Sequence, residues 1–357
     1  MGPSLVETDK APHLPRHGTV ALLDDKVRDR ARGALVGLAV GDALGTTLEF
    51  APRDTCTLHV DMLGGGPFNL QPGQWTDDTA MALALADSLL TCRRLDAHDL
   101  MTRFVAWWRE GRYSCTGTCF DIGTATRDAL ARFERNGEAF AGSTSPCTAG
   151  NGSLMRLAPV ALFAFQDTDL ADQIAGDQSR TTHAAPEAVD GCRYFVRLLQ
   201  RAILVGAVPR SASGYVGERR RSRSLFSDLE NKSVRPCWSS QAAVRRIAEG
   251  AWRAKTRADI RSTGYVLDTL EAALWSVAST ASFEEALILA VNLAGDADTV
   301  GAVTGQLAGA IYGASAIPTR WLTPLAWRER IMKNADELID CWLDSALDRV
   351  QRRGASP

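Results

Sequence analysis

The segment GALVGLAVGDALG, residues 33–45, decides the fold. Val27, Ala31, Ala34, Leu35 and Leu38 fall at helical spacing across its start. Gly and Ala at this density let another helix approach closely, so the segment reads as a buried core helix. Working outward, the same periodicity predicts helices over 79–90, 96–109, 122–134, 154–165, 185–204, 241–253, 264–278, 282–293, 300–312 and 325–350. Pro159 either kinks its helix or marks the helix start. Runs of alternating β-branched residues are nearly absent, so the expected fold class is all-α, a compact multi-helix domain. Residues 1–24, with Pro3, Pro12 and Pro15 and no apolar period, read as an arm. Residues 25–357 read as one domain, because no long linker divides two self-sufficient halves. Two irregular stretches interrupt it. One carries Pro52, Gly64-Gly65-Gly66-Pro67 and Pro72-Gly73. The other, 209–240, carries a basic run over 218–223, which suits either a solvated loop or a partner-facing anion patch.

Composition excludes more than it assigns. The chain has 357 residues, with 40 Lys and Arg against 42 Asp and Glu, a formal charge of −2. That balance argues against a protein that coats nucleic acid or an anionic membrane. No run of ~18 apolar residues is present, and the first 24 residues lack the apolar core of a secretory signal. Eight scattered Cys, with only Cys115 and Cys119 close together, fit unpaired thiols in a reducing, cytoplasmic setting rather than a zinc set.

Against that balance, two local clusters of acid stand out. Thr76-Asp77-Asp78 and Asp296-Ala297-Asp298-Thr299 each precede an apolar helix. Helix capping explains one such cluster. Adjacent carboxylates repel, however, and two clusters of the same make-up exceed what caps require. Together they form a hard, all-oxygen ligand set suited to two Mg²⁺ or Mn²⁺ ions. The glycine-rich run Gly150-Asn151-Gly152-Ser153 is either a plain turn or a cradle of amides for phosphate oxygens.

Seven stretches in order, from residue 27 to about 325, resemble the ADP-ribosylglycohydrolase family. They are GALVGLAVGDALGTTLEF, GQWTDDTAMALA, FDIGTAT, AGNGSLMRLAP, SRTTHAA, IRSTGYVLDTLEAALW and NLAGDADTVGAVTGQLAGAIYG. The resemblance implies a binuclear metal site held by Thr76, Asp77, Asp78, Asp296, Asp298 and Thr299. It implies Asp121 and Glu49 as catalytic residues. It implies Gly123, Gly150, Asn151, Gly152, Ser153, His183 and Tyr265 as substrate contacts. Asp42 is expected to be structural, bracing a helix turn. FDIGTAT and GYVLDTLEAALW look most like the arginine-directed bacterial branch, whose members remove ADP-ribose from modified arginine on a protein. Two other readings follow from the same sequence. One is an immunity protein that neutralises an ADP-ribosyltransferase toxin, by hydrolysis or by binding through the arm. The other is a catalytically silent ADP-ribose binder, against which the complete ligand set argues.

Overall fold

The computed structural model describes residues 24–206 and 239–354, with side chains to residue 347. The arm over 1–23 and the basic run over 218–223 lie outside the described residues. Helices follow in the order α1 Asp25–Gly45, α2 Asp77–Cys92, α3 Ala97–Glu110, α4 Thr124–Asn136, α5 Ala158–Phe163, α6 Thr168–Thr182 and α7 Pro186–Val205, then α8 Ala242–Ala248, α9 Val266–Ala278, α10 Phe283–Val291, α11 Ala297–Tyr312, α12 Thr319–Leu322 and α13 Arg328–Gly354. Among the described residues there is no β-sheet, only isolated bridges.

The glycines of the opening segment face α11, which runs antiparallel to α1. Gly33 lies against Gly309, Gly37 against Gly305, Gly41 against Gly301 and Gly45 against Ala297. A Cβ added at any of these glycines would stand closer than 3.0 Å to a backbone atom across the seam. Spacing of four keeps all of them on one helix face. The seam is fully buried, and it brings the C-terminal end of α1 to the N-terminal end of α11. Elsewhere α1 is tied to α13 by Arg32, whose Nε and Nη2 donate to Asp336 at 2.8 and 2.9 Å, and by Arg28 to Asp340 at 2.6 Å.

Several boundaries differ from the sequence expectation, each for a local reason. The chain turns over 151–157, and α5 begins only beside Pro159, so the proline marks a start and not a kink. Helix α8 stops early, and Gly250, at φ +85°, begins a separate turn. Trp327, at φ +55°, separates the short α12 from α13. Helix α6 was not expected. Its buried positions include Gln178, Ser179, Thr181 and Thr182, so it carries no continuous apolar stripe to read. Helices α2 and α11 begin two and three residues earlier than expected, which places Asp77, Asp78, Asp298 and Thr299 in first turns.

Candidate metal and substrate site

The seam sets the position of the acids. Glu49 follows the end of α1 and pairs by a parallel bridge with Gly295, just before α11. Phe50 donates its N–H to the Gly295 carbonyl at 2.7 Å, and Gly295 donates to Ala51 at 2.9 Å. The Glu49 carboxylate then accepts the Ala297 N–H at 2.7 Å and the Asp298 N–H at 3.3 Å. A residue 248 positions upstream thus caps α11, in the place where a helix dipole favours a negative group.

Asp42, on α1, organises the start of α2. It accepts the N–H and hydroxyl of Thr76 at 2.9 Å each, and those of Thr79 at 3.0 and 2.6 Å. Both of its oxygens are occupied, and the residue is fully buried. The bracing role read from the sequence therefore has a geometry, and the braced turn carries Asp77 and Asp78.

Two groups of carboxylates result. Oxygens of Asp42, Asp78 and Asp298 lie within 4.8 Å of one another, as do those of Glu49, Asp296 and Asp298. Asp298 belongs to both. Of the expected ligand residues, Asp78, Asp296 and Asp298 stand in these groups, and the Thr76 and Thr299 hydroxyls lie 3.3 and 3.5 Å from Asp78. Asp77 is buried beside them but in neither group. Asp121 sits at φ +57° before α4, half-buried, near enough to Asp77 and Asp298 to feel both charges.

Crowding shows in the acidities. Burial, then Asp298, pushes Asp42 and Asp296 up to about 7. Burial with Asp298 and Asp296 raises Glu49 to about 11, and burial with Asp77 and Asp298 raises Asp121 to about 12. Asp77 and Asp78 are raised well above the ordinary value by burial, then by Asp298 and Asp42 respectively. Removing water penalises the charged form, and like charges penalise it again.

The glycine-rich turn lies beside this cluster. Asn151 donates its amide N–H groups to Asp296 at 2.7 Å and to Thr269 at 2.9 Å, and its backbone N–H to Gly264 at 3.0 Å. Its side chain therefore orients an acid. The Ser153 hydroxyl is fully buried and joins Ser179 at 2.8 Å, turned into the core, so what this residue offers the turn is backbone. Among the described residues, the Gly152 and Ser153 N–H groups have no acceptor. His183 is buried with its ring edge against Gly150 and Gly152. Gly150 also bridges Tyr265, whose hydroxyl donates to Glu187 at 2.5 Å. A cavity of about 580 Å³, lined by Thr124, Asp128, Cys147, Gly150, Gly264 and Tyr265 among others, opens next to the turn. Gly123, exposed, is the N-cap of α4 at the edge of that cavity. A larger cavity, of about 640 Å³, lies at the α2–α3 turn and contains none of these residues.

Sequence reasoning missed that Asp42 stands within the carboxylate group, because its four donors come from 34 to 37 residues away. It also missed Arg156, fully buried behind His183. Its signal was present in the matched stretch AGNGSLMRLAP, as an arginine within an otherwise apolar run. The described cysteines are all free thiols, as expected.

An all-helical domain that gathers carboxylates from three helix ends beside an amide-lined turn defines a class of hydrolase. The model of the ADP-ribosylglycohydrolase family matches residues 23–347, and the chain belongs to that family. It is 44% identical over 311 residues to the ADP-ribosylarginine hydrolase Tri1 of Serratia proteamaculans, covering 87% of this chain and 79% of that one. It is also 44% identical over 334 residues to the Tri1 hydrolase of Pseudomonas putida, covering 94% and 84%. A solved structure described as an ADP-ribosylglycohydrolase-related protein complex superposes with a TM-score of 0.74 at 41% identity, covering 89% of this chain and 99% of that one. Among the described residues, no helix is long and apolar enough to cross a membrane.

Proposed function

We propose that this protein hydrolyses the N-glycosidic bond of ADP-ribosyl-arginine on modified proteins in the cytoplasm, using two divalent cations, Mg²⁺ or Mn²⁺. The observation that carries this reading is the shared position of Asp298 in two carboxylate groups. Among the described residues, the charges that act most on Asp42, Glu49 and Asp296 are those of other acids, with no Lys or Arg among them. The residues fit cations. Asp78 Oδ1 is buried with no hydrogen-bond partner, and the donor set is all oxygen. Asp78, Asp296 and Asp298, with Asp77 and the Thr76 and Thr299 hydroxyls, would hold the ions. Asp42 would act through them, since its own oxygens are spent on Thr76 and Thr79. Bound there, the cations would supply Lewis-acid polarisation and a site for the vicinal hydroxyls of the ribose.

The chain's own residues divide the remaining work. The free Gly152 and Ser153 amides suit the diphosphate, because backbone N–H groups favour anionic oxygens. Asn151 fixes Asp296. Glu49 spends one oxygen on the α11 amides and so positions that helix. Asp121 accepts no backbone amide among the described residues, and its carboxyl meets that of Asp298, which makes it the better candidate to give the proton that the departing guanidine needs. The 44% identity to two arginine-directed hydrolases supports the choice of leaving group.

Release of ADP-ribose from arginine-modified protein tests the proposal. The expected outcome is release in Mg²⁺ or Mn²⁺, loss on chelation, and a drop of at least about 10²-fold in Asp298→Asn. Full activity in chelator, or a preference for serine-linked ADP-ribose, would overturn it.

A further inference from the structure

Arg156 is a fully buried guanidinium with no carboxylate partner. Its Nε donates to Gln178 Oε1 at 2.9 Å. Its Nη2 donates to the Gln178 carbonyl and to Thr182 Oγ1, each at 2.9 Å, and its Cζ lies over the Phe104 ring, 4.6 Å from the centroid. A buried charge held this way stabilises little by itself, so its neighbours indicate its use.

The contact with Thr182 has a directional consequence. Arginine only donates, so Thr182 Oγ1 must accept from it. The single hydroxyl proton of Thr182 then has one described partner, His183 Nδ1, at 2.8 Å. If Nδ1 carried the imidazole proton instead, Thr182 would keep a buried, unmatched O–H, which disfavours that arrangement by roughly tenfold. Nδ1 is therefore the acceptor, and the ring proton sits on Nε2. Burial, then Arg156, pushes His183 down to about 3, so the ring stays neutral.

Nε2 faces the glycine-rich turn. It would stand 3.2 Å from a Cβ added at Gly150 or at Gly152, and Cε1 would stand 2.8 Å from the latter. The absence of side chains at both positions lets the ring edge reach the turn. Among the described residues, Nε2 has no hydrogen-bond partner, and the Gly152 and Ser153 amides beside it have no acceptor. The ring edge and the two amides thus belong to the same turn.

We propose that Arg156 is a positioning residue. Through Thr182 it holds His183 as the Nε2–H tautomer, so that the ring presents a fixed neutral donor to the diphosphate of ADP-ribose. The ligand assignment rests on the function proposed above; the tautomer does not. The cation lies one hydroxyl behind the donor, where it orients without competing for water. Gln178, which accepts from Arg156, also donates its Nε2 to the Ser153 carbonyl at 3.0 Å, so the same charge anchors the turn.

The experiment uses the full chain in Mg²⁺, with ¹⁵N-labelled histidine and ADP-ribose as the probe. The wild type should show His183 as a single neutral Nε2–H tautomer. Thr182→Val keeps the side-chain shape and removes the relay. It should mix the tautomers and weaken ADP-ribose binding roughly 5- to 10-fold, while Thr182→Ser restores both. Circular dichroism confirms that each variant is folded. A wild-type Nδ1–H ring, or an unchanged tautomer in Thr182→Val, overturns the relay. The expected tautomers with unchanged ADP-ribose affinity overturn the diphosphate role. Failure of the wild type to release ADP-ribose from arginine overturns the proposed function instead, and leaves the tautomer result to judge Arg156.

Discussion

The α1–α11 pair is two different environments along one contact. Over Gly33 to Gly45 the two backbones touch, with no side chain between them. Immediately beyond, at the end where Gly45 meets Ala297, Glu49, Asp296 and Asp298 crowd together and join Asp42 and Asp78. The first region is stabilised by close packing of apolar and backbone atoms. The second is unfavourable without a cation, because buried like charges repel. The contrast teaches how a strained cluster is maintained. The tight seam leaves the acids no room to separate, so packing energy in one region holds electrostatic strain in the other.

Breaking the seam should have the largest effect. Gly305→Val places a side chain against the Gly37 carbonyl. It should destabilise by at least about 3 kcal/mol or prevent folding, read by chemical denaturation. Loss of the seam should also disperse the acids, so any folded fraction should bind Mn²⁺ poorly.

Asp78→Asn acts on the other region and should separate the two properties. In chelator it should raise stability by about 1 kcal/mol or more, since one buried acid no longer opposes its neighbours. In Mg²⁺ the order should reverse, because the wild type gains the binding free energy of the ion and the variant does not. Activity should fall by at least about 10²-fold. Parallel melts with and without metal decide this, and a variant less stable in both conditions would break the comparison.

His183 is a titrating group away from the pair. Burial and Arg156 depress His183 to about 3 in the folded chain. The unfolded chain takes up a proton near 6.5 and the folded chain does not. Stability from this group is therefore present above pH ~6.5 and is lost as pH falls, by about 1.4 kcal/mol at pH ~5.5. His183→Gln should flatten that limb of the stability–pH curve.

The smallest effect is expected at the junction. In Glu49→Gln the amide oxygen can still accept the Ala297 and Asp298 amides, so the melting temperature should stay nearly constant while activity falls about 10-fold. Glu49→Ala should also lose the cap, at about 1 kcal/mol.

Legibility in the sequence followed how local each feature is. Helices α1, α2, α3, α4 and α7 were readable because an apolar period or an N-cap such as Asp96 lies within one turn of itself. Helix α6 was not, since its inward face carries Gln178, Ser179, Thr181 and Thr182 for Arg156 and Ser153 to bond. The two acid clusters were legible as pairs of residues, and Asn151 and Ser153 as members of a turn. That Asn151 would orient Asp296, and that the Ser153 hydroxyl would face inward, depended on partners 145 and 26 positions away.

The sequence by itself determined an all-helical chain, the close-approach face of α1 and the two pairs of acids at helix starts. Spacing, small side chains and capping act over a few residues. Only the tertiary structure decided which helix fills that face, and with it that Asp42, Asp78 and Asp298 meet. The physical reason is that a carboxylate cluster has no attraction of its own. It forms because the seam between α1 and α11 brings those helix ends together.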